Sequence, residues 1–379
     1  MRYLWYSMYG FVTALAVYAL FFRPPAVVEN PPPLTPPPAT EPVIVTRDDE
    51  SIDVQIALIL DTSSSMDGLV AQARTQLWEM VSDLQIGPDG DERKVAVALY
   101  QYGNNRLAKA DGFIQQLAPL TTDLDLVTVK LHALSTSGGK EYAPEAILRA
   151  ADELDWSRDD GVERIIVIAG NEGFGQGQIT GETALARAQE LNISVVPIFC
   201  ANRGATNGAL ASWREAAELA GTDFTSINSD LRVVQVQSPY DLEIMQKCQA
   251  LEENRVYDTN YRESEYTAQA ESFVDGSSAI DRALVQSRQI GRKDMVTAYG
   301  KGTLELDKVA LPGAVANKSV AEKKAYLEEK AAAQATLRKE LAELSSKRKE
   351  HIAQQRRARG GAPKVNLGDA VRSNVMKGY

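Results

Sequence analysis

Val54-Gln55-Ile56-Ala57-Leu58-Ile59-Leu60 runs straight into Asp61-Thr62-Ser63-Ser64-Ser65. The first seven residues are almost unbrokenly apolar and rich in branched side chains. Such a run suits a strand buried on both faces, as in a parallel sheet covered by helices. It stops at one carboxylate and a group of hydroxyls. A helix then starts near Gly68, with Leu69, Ala73, Leu77, Met80, Val81 and Leu84 recurring at three and four. In open α/β sheets, ligands bind outside the carboxyl ends of strands. Asp61, Ser63 and Ser65 therefore stand where binding is expected. Hard oxygens at alternate positions suit an ion such as Mg²⁺, with Mn²⁺ and Ca²⁺ accepting the same donors. The plainer reading is that these residues cap a helix.

Outward from this stretch, strands and helices alternate over residues 51–235. Strands are expected at Lys94–Tyr102, Phe113–Leu117, Arg164–Ala169, Ile193–Phe199 and Asp223–Ile227. Helices are expected at Asp123–Leu134, Ala143–Leu154, Thr180–Leu191 and Ala209–Ala220. Alternation of this kind predicts a doubly wound, mostly parallel α/β sheet.

Asp-x-Ser-x-Ser between a buried strand and a helix resembles the metal-ion-dependent adhesion site of the von Willebrand factor A domain. The resemblance implies a threonine and an aspartate from two further loops, and a carboxylate from a protein partner. This sequence departs at both loops. Ser137-Gly138-Gly139-Lys140-Glu141-Tyr142 has no threonine after its glycines; Glu141 stands in that region. After the strand ending at Ala169 comes Gly170-Asn171-Glu172, where the family has an aspartate. The candidate metal residues are thus Asp61, Ser63, Ser65, Glu141, Asn171 and Glu172. Glu141 could equally favour a helix N-terminus, and Asn171 and Glu172 could be a polar loop over the sheet. Ile168 to Gly177, Pro197 to Cys200 and Gly139 to Tyr142 together resemble a bacterial subgroup of such proteins. In it a membrane segment precedes the domain and a helical tail follows.

Both flanks agree with that subgroup. Tyr3 to Phe22 is an uncharged run between Arg2 and Arg23, long enough at 1.5 Å per residue to span a bilayer. Tyr3, Trp5, Tyr6 and Tyr9 lie near one end, as in an interfacial belt. The run is longer than a signal-peptide core, so residues 1–23 read as an uncleaved single-pass anchor. The charges that follow lean towards an extracytoplasmic, periplasmic body. Residues 24–50 hold more than half of the 16 prolines and read as a semi-rigid stalk.

From Ser238 strand signals fade. Residues 238–358 read as an all-α extension, with a break at Gly300 to Gly313 and a long helix over Val320 to Ala358. That helix has an apolar seam only at its centre, which fits a short coiled-coil hairpin or packing onto the preceding helices. Its basic end, Lys347 to Arg359, reads as a solvated terminus or as a contact for anionic lipid or an acidic partner. Residues 359–379 read as a flexible tail.

Composition narrows the function. The net charge of −10 argues against nucleic acid as a general partner. Two histidines and two cysteines supply neither a histidine triad nor a cysteine zinc site, and the spacing of Cys200 and Cys248 does not decide whether they pair. No nucleophile elbow, Walker loop or His-Glu-x-x-His is present. The reading is a non-enzymatic, membrane-anchored protein-interaction module with a divalent cation. The alternative is a metal-independent scaffold that works through its helices.

Overall fold

Every residue of the first strand, β1 (Val54–Asp61), is buried, and its alternating side chains enter two different cores. Val54, Ile56, Leu58 and Leu60 face one helical layer; Ala57 and Ile59 face the other. The same split holds along β2 (Val95–Tyr102) and β4 (Glu163–Gly170), so period-2 alternation builds a three-layer sandwich. The computed structural model describes residues 52–375 apart from 88–89, 203–204, 258–262, 290–293, 359–364 and several positions between 301 and 312. The expected anchor and proline stalk lie outside the described residues. Among those described, no helix is long and apolar enough to cross a membrane.

The sheet has six strands in the order β3-β2-β1-β4-β5-β6, with β3 at Ile114–Thr121, β5 at Ser194–Ala201 and β6 at Thr225–Asn228. All pairings are parallel except β2 with β3. The edge strand expected at Phe113–Leu117 is thus longer, and it runs antiparallel. Strand order reverses between β1 and β4, which makes the gap between their carboxyl ends the topological switch point. Asp61 closes one side of that gap and Gly170 the other.

One layer holds α1 (Asp67–Leu84) and α2 (Leu124–His132). The other holds α3 (Ala143–Glu153), α4 (Gly181–Glu190) and α5 (Asn207–Ala220). Local chemistry sets the ends of these helices. Thr180 and Thr206 accept from the backbone N–H groups of Thr183 and Ala209, satisfying first-turn donors. Gly221 ends α5 at φ 70°, a left-handed value that favours glycine.

The extension comprises α6 (Asp241–Glu253), α7 (Thr267–Phe273), α8 (Gly276–Arg288), α9 (Met295–Gly300) and α10 (Val320–Ala358). Ile244, Leu251, Ile280, Leu284, Leu341 and Leu344 make its core, so the central seam of α10 packs onto the preceding helices. Three cations of the basic end of α10 are paired within the fold. Arg348 pairs with Asp281 and Asp241, Lys349 with Asp83, and Arg356 with Glu79. The acidic partner of this charge run is the protein's own α1, α6 and α8.

The tail expected to be flexible contains a helix, α11 (Leu367–Val375). Leu367, Ala370, Val371 and Val375 join the same core as β1 and α1. Gln72 and Gln76 of α1 accept from the N–H groups of Leu367 and Gly368, and Asn374 donates to Thr225 on β6. Nine residues are too few to signal an amphipathic helix strongly, and their partners lie some 290 positions earlier in the chain. Cys200 is buried, Cys248 is half-buried, and both are free thiols.

Candidate metal centre

Asp61 is wholly buried at the end of β1. Its Oδ1 accepts from the Ser63 backbone N–H at 2.7 Å, and its Oδ2 has no hydrogen-bond partner. The hydroxyls that follow divide by position. Thr62 donates towards Gln101 and the Tyr102 carbonyl, pinning the loop to β2. Ser64 binds Gly138, accepting at its hydroxyl and donating from its N–H. Ser63 and Ser65 remain, with their Oγ atoms 3.3 Å apart. Asn171 Nδ2 donates to Ser65 Oγ at 3.0 Å, while Asn171 Oδ1 is buried without a partner. Asp61, Ser63, Ser65 and Asn171 therefore lie in one cluster.

Glu141 joins them from the loop before α3. It is 4 % exposed, and its Oε2 also lacks a partner. Gly103, at φ 81°, makes the approach possible. A Cβ there would lie 2.7 Å from Asp61 Oδ1 and 2.9 Å from Glu141 Cγ. Burial pushes the Asp61 carboxyl up to about 6, against the pull of hydrogen bonds from Glu141 and Ser63. Burial, and then the Asp61 charge, pushes Glu141 up to about 9. Burial and each other's proximity thus push both carboxyls towards their protonated forms.

Glu172 follows Asn171 on the same turn. Among the described residues its side chain makes no hydrogen bond to Asp61, Ser63 or Ser65. Its carbonyl accepts from Trp213 Nε1 at 2.6 Å, and its charge acts on the carboxyl pair only by raising both pKa values. Trp213, rooted in α5 and stacked edge-on against Phe174, fixes this turn by holding the backbone.

The β4 side of the gap is closed. A Cβ on Gly170 would lie 2.1 Å from the Tyr102 hydroxyl, 3.1 Å from Trp213 and 3.3 Å from Asp61 Oδ2. Tyr102 fills the space that a side chain at position 170 would use, and its own hydroxyl proton goes to the Ala169 carbonyl. Neither Tyr102, Trp213 nor Asn202, which donates to the Ser65 carbonyl, stands out in the sequence. Tyr102 reads there as strand core. The nearest signal is Gly103, a glycine directly after a strand.

Among the described residues, no three or more His, Cys, Asp or Glu side chains gather around one point. The donors are two carboxyls, two hydroxyls and an amide oxygen. All are hard oxygens, a set that fits Mg²⁺, Mn²⁺ or Ca²⁺. The three buried oxygens without partners, on Asp61, Glu141 and Asn171, agree with that fit, because buried acceptors are rarely left unpaired.

The class is thus a doubly wound α/β domain with an oxygen-lined site at its switch point. Residues 55–237, just under half of the chain, match the von Willebrand factor type A domain family. No curated protein matches the chain. Solved structures that resemble it include BatB from Bacteroides thetaiotaomicron, with 17% identity over 46% of this chain and 90% of that one, at a TM-score of 0.35. The SpRpn10 VWA domain shares 18% identity over 48% of this chain and 91% of its own length, at a TM-score of 0.36. Proximal thread matrix protein 1 from the mussel byssus, with a zinc-occupied MIDAS motif, shares 14% identity over 47% of this chain and 42% of its own length, at 0.34.

Proposed function

We propose that the chain is a membrane-anchored protein-interaction module whose α/β domain holds a divalent cation, Mg²⁺ or its relatives Mn²⁺ and Ca²⁺. Asp61, Ser63 and Ser65 are the ligands, with Glu141 and Asn171 beside them. The observation that carries this reading is the set of buried, unpartnered oxygens on Asp61, Glu141 and Asn171 around one loop cluster. A bound cation would neutralise the two carboxyls and leave a position for a carboxylate of the partner protein. The protein's share is to hold those oxygens ready. Gly103 lets the carboxyls meet, Asn171 orients Ser65, and Ser64 locks the loop to Gly138. In this reading residues 1–23 anchor the chain, residues 24–50 hold the domain off an extracytoplasmic membrane face, and the helices offer a second surface.

The test is calorimetric titration of Mg²⁺ and Mn²⁺ into the full chain in nanodiscs, beside Asp61→Ala. Saturable binding that the substitution removes supports the reading; binding untouched by it refutes the assignment. One observation favours the metal-independent scaffold instead: Gly170 brings no carboxylate, and Tyr102 fills its place. On that reading Asp61→Ala leaves partner association intact.

A further inference from the structure

At the end of the sheet away from the Asp61 cluster, the extension does not close flush on the α/β domain. A groove of about 980 Å³ lies between them. Trp78 of α1, Val95 of β2 and Leu124 of α2 line one wall; α6, α7 and α8 line the other. Val95 starts β2 and Tyr102 ends it, so about 23 Å of strand separates the groove from the cluster. One face of α8 makes the groove hollow. Ala279, Arg282, Ala283, Gln286 and, just past its end, Gln289 recur along it at three and four, and the two alanines leave the space that larger side chains would fill.

The interior is short of acceptors. Trp78 Nε1, Arg255 Nε and Gln289 Nε2 are buried without a hydrogen-bond partner. Trp78 is 1 % exposed and the Arg255 side chain 3 %. Among the described residues lining the groove, every unpartnered buried polar atom is an N–H donor. Buried donors are rarely left in that state. The two arginines inside are already ion-paired, Arg282 with Asp125 and Arg255 with Glu252. The interior therefore calls for neutral acceptors such as peptide carbonyls, not for another anion.

The rim has different chemistry. Glu252 and Glu271 are more than half exposed there, and Glu263 is exposed without an ion pair among the described residues. The one other cation of the lining, Lys94, is half-buried at the foot of β2. Beside the acids, Leu242 and Met245, one turn apart on α6, are 72 % and 40 % exposed. Large apolar side chains exposed together at a groove edge mark a contact surface, and Met adapts to varied shapes.

We propose that this groove receives a basic, apolar peptide segment of a partner protein. Its main-chain carbonyls accept from Trp78, Arg255 and Gln289. An apolar side chain lies against Leu242 and Met245, and a Lys or Arg meets the acidic edge at Glu263. Charge complementarity selects this partner, because the rim repels an acidic segment and attracts a basic one. The site is independent of any cation at Asp61.

The experiment uses the full chain in phosphatidylcholine nanodiscs, whose neutral surface does not collect basic peptides. A bead-displayed library of random capped heptapeptides is screened, and the tightest sequence is titrated by fluorescence anisotropy. Selected sequences should combine Lys or Arg with Leu, Ile or Met. Ala283→Leu, which fills the groove from α8, should abolish binding. Glu263→Lys, an exposed change that keeps the test should Ala283→Leu fail to fold, should weaken binding about 3-fold, the scale of one exposed ion pair. Salt at about 0.5 M should weaken it as well, through screening. A chelator and Asp61→Ala should leave the affinity unchanged. Selection of acidic sequences, selection of none, or full binding by a folded Ala283→Leu overturns the proposal. So does a fatty acid that co-purifies with the chain in native mass spectrometry and is lost from Ala283→Leu, which would assign the groove to lipid.

Discussion

Among the buried carboxylates of this protein, two groups are built on opposite rules. Along the seam of the extension, Asp281 meets Arg348 at 2.6 Å, and the same guanidinium reaches Asp241 and Ser277. Nearby, Asp125 receives two bonds from Arg282 at 2.9 Å. Each buried charge there has an opposite charge and further hydrogen bonds, the condition under which buried ions are tolerated. At the strand ends, Asp61 meets Glu141 instead, and each keeps an oxygen without a partner. The first region is complete as it stands; the second is complete only with a proton or a cation. The contrast separates acids that hold the fold together from acids held in readiness.

Breaking the complete region should cost most. Arg348→Ala strands Asp281 in the core and should lower unfolding stability by about 3–5 kcal/mol in chemical denaturation, the usual loss when one member of a buried pair is removed. A small loss would mean that the seam is wetter than its geometry indicates.

The pH dependence is the next largest effect and belongs to the incomplete region. Glu141 is pushed up to about 9 in the fold, against an ordinary value of 4.5. Its protonated form is favoured by folding. Its contribution is therefore full below the ordinary value and is lost as pH rises towards 9. The metal-free chain should lose stability over that window, seen as a falling thermal midpoint. Mn²⁺ should flatten the fall and release protons on binding near neutral pH, because it takes the proton's place. A metal-free midpoint that held steady over the same range would remove the case for a buried carboxyl pair.

Glu141→Gln should be a smaller perturbation, within ~1 kcal/mol without metal, since the amide replaces an already neutral acid and can donate to Asp61. Its Mn²⁺ affinity should still fall, which separates stability from binding at one residue. The smallest effect marks the baseline. Glu153→Ala breaks the exposed pair with Arg149 and should change stability by no more than ~0.5 kcal/mol.

Sequence periodicity carried most of the α/β domain. Strand and helix positions from Val54 to Ala220 lie within a few residues of those expected, because each element buries a full face and shows it as a period of two or of three to four. The edge strand was only partly legible, since Gln115, Gln116 and Pro119 are exposed and break its alternation. The candidate cluster was legible where it follows a strand end, at Asp61, Ser63 and Ser65. It was not legible at Tyr102 or Trp213, whose roles come from facing Gly170 across the sheet. The partners of the basic run of α10 and the packing of the short α11 were not legible for the same reason. Arg348 and Leu367 look solvated or loose until distant partners are placed against them.

The claim that the Asp61–Glu141 cluster stands ready for a cation is tested most directly by thermal unfolding of the full chain with and without Mn²⁺, comparing the wild type with Asp61→Asn. The wild type should gain about 2.7 kcal/mol at a hundredfold excess of Mn²⁺ over Kd. The variant, whose amide can donate to Glu141, should match or exceed the metal-free wild type and gain nothing from Mn²⁺. A wild type indifferent to Mn²⁺, or a variant that responds to it equally, would show that these buried acids serve something other than a metal ion.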